Sequence, residues 1–209
     1  MGATIVFIGD SITDCDRQTD PLALGSGYVD MVARTLRSRG VDTPIVNTGI
    51  AGDRVEHLRH RWQVDALDHA PALLSVFIGV NDTLGTFFQG RPTPLHQFEQ
   101  GYVDLLDRAV AAGVPRLIVV EPFFVGSDDD TVRWREGNEF IHEDLAPRRA
   151  VVRALADRYG ATFVALQEPM MEAVAARGRP VVAPDGIHPS PVGHQLIADR
   201  WLAAHDSVT

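Results

Sequence analysis

The chain has 209 residues, and its 28 acidic residues outnumber its 19 lysines and arginines, so its formal charge is −9 with neutral histidines. That length suits one domain over residues 1–209, and an acidic chain without a basic run lacks the electrostatic basis for binding nucleic acid or anionic membranes. The single cysteine, Cys15, excludes an intramolecular disulfide and a cysteine-cluster metal site.

The chain also lacks the patterns typical of membrane and secreted proteins. A membrane span needs about 18 or more uncharged apolar residues, and the best candidate, residues 117–125, carries Glu121. The first apolar run begins at residue 4, with no basic leader before it. We therefore expect a soluble protein of the cytoplasm.

In the first half of the chain, short continuous apolar runs predict buried strands, and segments with apolar residues at helical spacing separate them. The strands are predicted at residues 4–8, 44–46 and 73–78, and the helices at residues 28–36 and 55–62. Gly40 closes the first helix.

The second half continues this alternation. Helices are predicted at residues 98–109, at residues 143–159 and from about Pro191, and strands at residues 117–120 and 162–165. Strands that alternate with helices are typical of a parallel sheet with helices on both faces. The sequence therefore predicts an α/β fold, a three-layer α/β/α sandwich with a five-stranded parallel sheet.

The longest irregular region is predicted from Glu121 to about Gly137. It contains three consecutive aspartates, residues 128–130, and Trp134. A loop of this length is more often functional or disordered than neutral. We expect it to form a rim of the site or a subunit contact.

Four turns combine glycines with residues that can do chemistry: residues 9–13, 47–52, 79–82 and 185–189. The first three directly follow predicted strands. In doubly wound sheets the ligand crevice opens beyond the carboxyl ends of the strands. We expect the four turns to meet there.

The first and last of these turns carry the parts of an activated nucleophile. Ser11 follows a buried strand in a tight turn, and a serine hydroxyl needs a base within about 2.6–3.2 Å, itself oriented by a third group. His188 and Asp185 can supply the base and the orienting carboxylate, because they lie three residues apart in a turn with Gly186 and Pro189.

The other two turns carry donors for a developing negative charge. Asn81 offers a neutral side-chain amide, and Gly52 offers a backbone N–H that a substrate can approach because no Cβ intrudes. The N–H of Ser11 is a candidate for a third donor.

Each turn taken alone has an ordinary explanation as well. Gly-Asp-Ser is a common turn composition, Gly52 can be a turn glycine, and Asn81 and Asp82 can cap a helix. What favours catalysis is that four separate turns each supply a different part of one acyl-transfer apparatus.

These four blocks, in this order and over nearly the whole chain, resemble the signature blocks of the SGNH (GDSL-type) hydrolases. The resemblance implies a flavodoxin-like sheet and a serine esterase, with Ser11 as nucleophile, Asp185 and His188 completing the triad, and Gly52 and Asn81 in the oxyanion hole.

Within that family, residues 7–15, residues 24–28 and Arg61-Trp62 are similar to cytoplasmic acetylxylan esterases. This resemblance implies removal of acetyl groups from short xylan fragments by a homo-oligomer. That subgroup leads us to expect bulkier residues after the Asn-Asp pair and before the triad aspartate, where this chain has residues 83–85 (Thr-Leu-Gly) and Pro184.

The sequence thus predicts a serine esterase for small acyl esters that needs no cofactor and no metal. Alternatives with the same machinery are a thioesterase, a lysophospholipase and an aryl esterase. A different class is a flavodoxin-like module whose turn at residues 9–13 binds a phosphate or nucleotide. A third is a metal-dependent hydrolase with Asp10, Asp82, Asp185 and His188 as ligands.

Overall fold

The computed structural model describes residues 4–127 and 132–207, without the side chains of residues 132–135. The elements in chain order are β1 (Thr4–Gly9), α1 (Ser11–Asp14), α2 (Tyr28–Ser38), β2 (Ile45–Asn47), α3 (Val55–Asp65), β3 (Pro71–Phe77), α4 (Val80–Gln89), α5 (Leu95–Ala111), β4 (Leu117–Val120), α6 (Val132–Arg158), β5 (Thr162–Val164), α7 (Gln167–Arg177), α8 (Arg179–Val182) and α9 (Pro191–Asp206). A short 3-10 turn at Leu67–His69 precedes β3.

The strands form one parallel sheet in the order β2-β1-β3-β4-β5. In the centre of the sheet, Ile5 of β1 lies opposite Ile45 of β2 and Leu73 of β3. This strand order is that of flavodoxin-like doubly wound sheets. The predicted α/β sandwich with a five-stranded parallel sheet is confirmed.

Alternate side chains of the strands pack into two cores, one on each face of the sheet. Ile5 and Phe7 of β1 pack with α2, α7 and α9, whereas Val6 and Ile8 pack with α3, α5 and α6. Because both faces are covered, the strands are apolar throughout, and this is why continuous apolar runs marked them in the sequence.

The order of the sheet reverses at β1, since the chain moves from β1 to β2 on one side and returns to β3 on the other. A crevice therefore opens between the loops that follow β1 and β3. Ser11 begins α1 directly after β1, and Asn81 lies in the first turn of α4 after β3.

The helices of the chain differ from the prediction in number and extent. Helices α1, α4, α7 and α8 were not among the predicted helices; in α7 only Met170 is fully buried, so the helix carries little of the apolar periodicity that marks a core helix. Helix α6 begins at Val132 rather than near residue 143, so the irregular region ends before Gly137. Residues 128–130 and the side chain of Trp134, which belonged to the predicted loop, lie outside the described residues.

Candidate active site

The turn after β1 holds Ser11 at the carboxyl edge of the sheet. Gly9 is required there, because a Cβ on it would lie 2.3 Å from the carbonyl oxygen of Phe77 and 2.4 Å from Oγ1 of Thr13. Asp10 caps the one-turn helix α1 by accepting a hydrogen bond from the N–H of Ile12 at 3.1 Å. The strand end and the cap together fix the direction of the Ser11 side chain.

The Ser11 hydroxyl lies at one end of a line of three hydrogen-bonded side chains. Its Oγ is 2.9 Å from Nε2 of His188, and Nδ1 of His188 is 2.7 Å from Oδ2 of Asp185. An ionised carboxylate only accepts hydrogen bonds, so Nδ1 carries the proton and Nε2 is the acceptor for the Ser11 hydroxyl. This arrangement can take a proton from the hydroxyl when the oxygen attacks an electrophile.

Backbone N–H groups hold the other carboxylate oxygen of Asp185. Its Oδ1 accepts hydrogen bonds from the N–H groups of Ile187 at 2.9 Å and His188 at 2.7 Å. The carbonyl oxygen of Gly186 in turn accepts from the N–H of Val125, just beyond β4, at 3.0 Å. The turn that carries His188 is thereby tied to the segment that follows β4.

These contacts set the charges of the pair. The hydrogen bond that His188 donates to Asp185 raises the pKa of His188 above its usual value of 6.5; burial opposes this shift, and the nearby Asp10 adds to it. Burial alone would raise the pKa of Asp185, but the hydrogen bonds from His188 and Ile187 outweigh it and lower that pKa to about 2. Asp185 is therefore ionised throughout the neutral range.

The Asn81 amide lies next to the loop that carries Gly52. Nδ2 of Asn81 donates to the carbonyl oxygen of Asp53 at 3.0 Å, which uses one of its two hydrogens and leaves the other for a ligand. Gly52 has φ +84°, a left-handed conformation that other residues adopt only with strain, and a Cβ there would meet nothing within 4 Å. Among the described residues, the N–H groups of Ser11 and Gly52 have no backbone acceptor.

Two carboxyl groups lie buried behind this site. Burial raises the pKa values of Asp10 and Asp82 to about 7, although each accepts a backbone hydrogen bond. Asp82 accepts from the N–H of Val55 at 3.2 Å, so it joins α4 to the start of α3. In the described part of the chain, no group of three or more His, Cys, Asp or Glu side chains is arranged to hold a metal ion, the set of Asp10, Asp82, Asp185 and His188 included.

A cavity of about 230 Å³ opens beside Ser11 and His188. Ala51, Pro189, Asp14 and Asp16 are among the residues that line it. Ala51 directly precedes Gly52, so the loop after β2 reaches the same cavity as Ser11.

His194 also lines this cavity, and both of its ring nitrogens have partners within the protein. Burial lowers its pKa to about 4, so it is neutral at pH 7. Its Nδ1 accepts from the N–H of Tyr28 at 3.2 Å, and its Nε2 lies 3.5 Å from Sγ of Cys15. These contacts hold the ring of His194 between α2 and α1.

Sequence reasoning assigned no role to Asn47, which connects two of the loops at the site. Its buried amide donates to the carbonyl oxygens of Thr13 at 2.6 Å and Leu24 at 2.8 Å, and its Oδ1 accepts from the N–H of Gly49 at 2.9 Å. An asparagine that ends a strand next to a glycine gives only a turn signal in the sequence; its partners lie as many as 34 residues away.

Comparison with known proteins identifies relatives over nearly the full chain. The model of the GDSL-like lipase/acylhydrolase family matches residues 7–196. An acetylxylan esterase from Geobacillus stearothermophilus is 30% identical over an alignment of 212 positions, gaps included. The alignment covers 96% of this chain and 93% of that protein.

Solved structures agree with the sequence comparisons. LAE5, an alpha/beta hydrolase enzyme from the metagenome of Lake Arreo in Spain, superimposes with a TM-score of 0.84 at 28% identity, over 100% of this chain and 97% of its own. Axe2, an acetylxylan esterase from Geobacillus stearothermophilus, superimposes with a TM-score of 0.80 at 28% identity, over 97% of this chain and 94% of its own.

Proposed function

This chain belongs to the GDSL-like lipase/acylhydrolase family and is a carboxylic ester hydrolase, and we propose that it removes acetyl and other small acyl groups from the hydroxyls of sugars such as acetylated xylo-oligosaccharides. The observation that carries the proposal is the hydrogen-bonded line of Ser11, His188 and Asp185. We assign Ser11 as the nucleophile and His188 as the base. Asp185 orients His188 and stabilises its protonated form.

The first half of the reaction forms an acyl-enzyme. Nε2 of His188 takes the hydroxyl proton while Oγ of Ser11 bonds to the ester carbonyl carbon, and the carbonyl oxygen becomes an oxyanion. The N–H groups of Ser11 and Gly52 and the amide of Asn81 donate to that oxyanion. The intermediate then collapses, the C–O bond to the alcohol breaks, and His188 donates its proton to the leaving sugar hydroxyl.

The second half repeats these steps with water as the nucleophile. His188 takes a proton from a water molecule that attacks the acyl carbon, and the same three donors stabilise the second oxyanion. When this intermediate collapses, Oγ of Ser11 leaves with the proton from His188, and the carboxylic acid is released. Because Asp185 stays ionised, it stabilises the imidazolium in both halves.

The size and charge of the cavity favour a small acyl group on a neutral, hydroxyl-rich alcohol. Its volume of about 230 Å³ lies below the roughly 300–1,000 Å³ typical of pockets for drug-sized ligands. Asp14 and Asp16 line it and can accept hydrogen bonds from sugar hydroxyls. The acetylxylan esterase relatives act, by name, on a substrate of this kind.

The related alternatives place different demands on this cavity. A thioesterase for acyl-coenzyme A or a lysophospholipase would bring phosphate groups close to Asp14 and Asp16, within a chain of charge −9. No helix among the described residues combines the length and apolar character of a membrane span. An aryl esterase needs the same catalytic groups and differs in its leaving group, so only a substrate screen separates it.

A phosphate-binding module on this flavodoxin-like sheet is the alternative from a different class. The turn at residues 9–13 would have to hold the phosphate, yet the Ser11 hydroxyl is engaged by His188 and the buried carboxyl of Asp10 lies behind the turn. The match to a hydrolase family over residues 7–196 favours the esterase.

We also propose that residues 1–209 form one domain, that the protein is cytoplasmic and that it assembles as a homo-oligomer. The family model matches 190 of the 209 residues, from 7 to 196, which supports one domain. The homo-oligomer is what the resemblance to acetylxylan esterases implies; single exposed apolar side chains such as Leu22, at 63% exposure, and Met171, at 40%, do not by themselves mark a subunit contact. Light scattering of the purified protein measures the number of subunits.

Release of acetate from acetylated xylo-oligosaccharides tests the substrate assignment. We expect kcat/KM for these compounds to exceed that for other acetylated sugars, and kcat/KM for p-nitrophenyl acetate to exceed that for p-nitrophenyl palmitate. The Ser11→Ala variant should lose at least about a thousandfold in kcat on every substrate. A preference for the palmitate ester would overturn the small-acyl assignment, and wild-type rates in Ser11→Ala would remove Ser11 from the mechanism.

A further inference from the structure

Arg61, on α3, donates three hydrogen bonds to the loops of the site and one to Asp65 of its own helix. Its side chain is 14% exposed. Nε donates to Oδ2 of Asp53 at 2.7 Å, Nη1 to the carbonyl oxygen of Thr48 at 2.6 Å and to Oδ2 of Asp65 at 2.9 Å, and Nη2 to the carbonyl oxygen of Gly9 at 3.0 Å.

Three of these acceptors lie close in the chain to Ser11 or to Gly52. Gly9 lies two residues before Ser11, whereas Thr48 and Asp53 flank the loop that contains Gly52. Arg61 therefore bonds to the chain just before the nucleophile and to both ends of the loop that carries an oxyanion donor.

Asp53 extends this connection to the third donor. Its carboxylate pairs with Arg61, and its backbone carbonyl oxygen accepts from Nδ2 of Asn81. A displacement of Asp53 would thus move both the Gly52 N–H and the Asn81 amide relative to Ser11.

Only an arginine can make this set of contacts. Its guanidinium is planar and presents donors in a fixed fork, so one side chain bonds four acceptors in different directions. A lysine ammonium offers three donors from one atom and cannot span the distance between Gly9 and Asp53. The guanidinium forms ion pairs with the carboxylates of Asp53 and Asp65, so its charge is not left unpaired in this partly buried place.

We propose that Arg61 is a positioning residue that holds the Gly52 N–H and the Asn81 amide in register with Ser11. The inference rests on the proposed function, because it concerns the oxyanion that the esterase reaction creates. Arg61 acts through the backbone of Gly9 and of the loop at residues 48–53, so its loss should weaken binding of the transition state more than binding of the substrate.

The test compares Arg61→Lys with Arg59→Lys, a matched control on the same helix. Arg59 is 48% exposed and pairs with Asp104 at 3.1 Å, away from the loops of the site. Hydrolysis of p-nitrophenyl acetate gives kcat and KM, and inhibition by phenylboronic acid, which forms a tetrahedral adduct with an active-site serine, reports how well the oxyanion donors are placed.

For Arg61→Lys we expect kcat to fall at least about tenfold, since small displacements of catalytic groups cost one to two orders of magnitude, with KM within about twofold of the wild-type value. Binding of the boronic acid should weaken by a factor similar to the loss in kcat. Arg59→Lys should match the wild-type protein in all three measurements.

A folded Arg61→Lys variant with unchanged kcat and boronic acid affinity, or with a change in KM alone, would overturn the inference. If Arg61→Lys fails to fold, the test uses Asp53→Asn, which weakens the contact between Nε of Arg61 and the loop. This variant must show the same fall in kcat, and a wild-type kcat would overturn the inference as well. A wild-type protein without esterase activity would overturn the proposed function itself, whereas activity retained in the variant overturns this inference alone.

Discussion

At the level of single side chains, the chemistry depends on how His188 is held. Its ring lies between the Ser11 hydroxyl and the Asp185 carboxylate, and it is about half exposed, so the proton can exchange with solvent while the tautomer stays fixed. The same hydrogen bond to Asp185 that fixes the tautomer also raises the pKa of His188. Orientation and basicity therefore come from one contact.

The raised pKa of His188 has a measurable consequence. His188 acts as a base only when neutral, so kcat/KM for p-nitrophenyl acetate should fall on the acid side with a midpoint above 6.5, the usual value for histidine. Asp185→Asn removes the carboxylate whose hydrogen bond and charge raise the pKa of His188, so the midpoint for this variant should move to lower pH while kcat falls by about a thousandfold or more. Rates measured between about pH 5 and pH 9 give both midpoints; a midpoint that stays or rises in Asp185→Asn contradicts the assignment.

Asn81→Ala removes one donor to the oxyanion. We expect kcat to fall by about a hundredfold or more with little change in KM, because the donor acts on charge that develops only in the transition state. The control is Gln195→Ala, which removes an exposed amide that bonds to Asp199 on α9. Rates near the wild-type value in Asn81→Ala would exclude its amide from the oxyanion hole.

Between the secondary-structure elements, the site is assembled by contacts from loop to loop. Asn47, at the end of β2, bonds to the carbonyl oxygens of Thr13 and Leu24 and to the N–H of Gly49, all of them buried. Without these contacts, polar backbone groups of two loops would lie in the interior with no partner. This amide therefore helps to set the relative position of the loops after β1 and β2, together with the contacts of Arg61.

Asn47→Ala tests that dependence through stability. Loss of three hydrogen bonds to buried backbone groups should lower the free energy of unfolding by about 3 kcal/mol. Urea denaturation at constant pH measures the change. Gln63→Ala, at an exposed amide that bonds to Asp68, is the control and should change stability by less than about 0.5 kcal/mol; a loss of similar size in both variants would argue against the role of Asn47.

The elements that the sequence predicted best are those whose surroundings leave a local pattern. The predicted strand at residues 117–120 coincides with β4, because a strand covered on both faces is apolar at every position. The start of α6 was predicted too late, since residues 136–139 read Glu-Gly-Asn-Glu and resemble a loop, while Phe140 and Ile141 pack against Val80 and Ile187. Tertiary contacts of this kind stabilise a helix that local propensity does not indicate.

For the chain as a whole, one parallel sheet brings together turns that lie up to 177 residues apart, as in the contact between Ser11 and His188. That the first three turns meet could be predicted, because they follow parallel strands whose carboxyl ends share one edge. The turn at residues 185–189 follows α8 and not a strand, so only its residue types indicated that it belongs with the others. The contacts of Arg61 could not be predicted, because its acceptors include backbone carbonyls as far as 52 residues away, which no side-chain pattern marks. Sequence patterns therefore indicated the reacting groups, and the structure was needed to find the groups that hold them.

The central claim is that Ser11 is the nucleophile activated by His188. Titration with diethyl p-nitrophenyl phosphate, an organophosphate that reacts with activated serines, followed by intact mass and peptide mapping, tests it most directly. We predict that esterase activity disappears when one diethylphosphoryl group per chain has been added, that the group is on Ser11, and that Ser11→Ala and His188→Ala remain unlabelled. Activity that persists after Ser11 is fully labelled, or loss of activity with the label on another residue, would contradict the account.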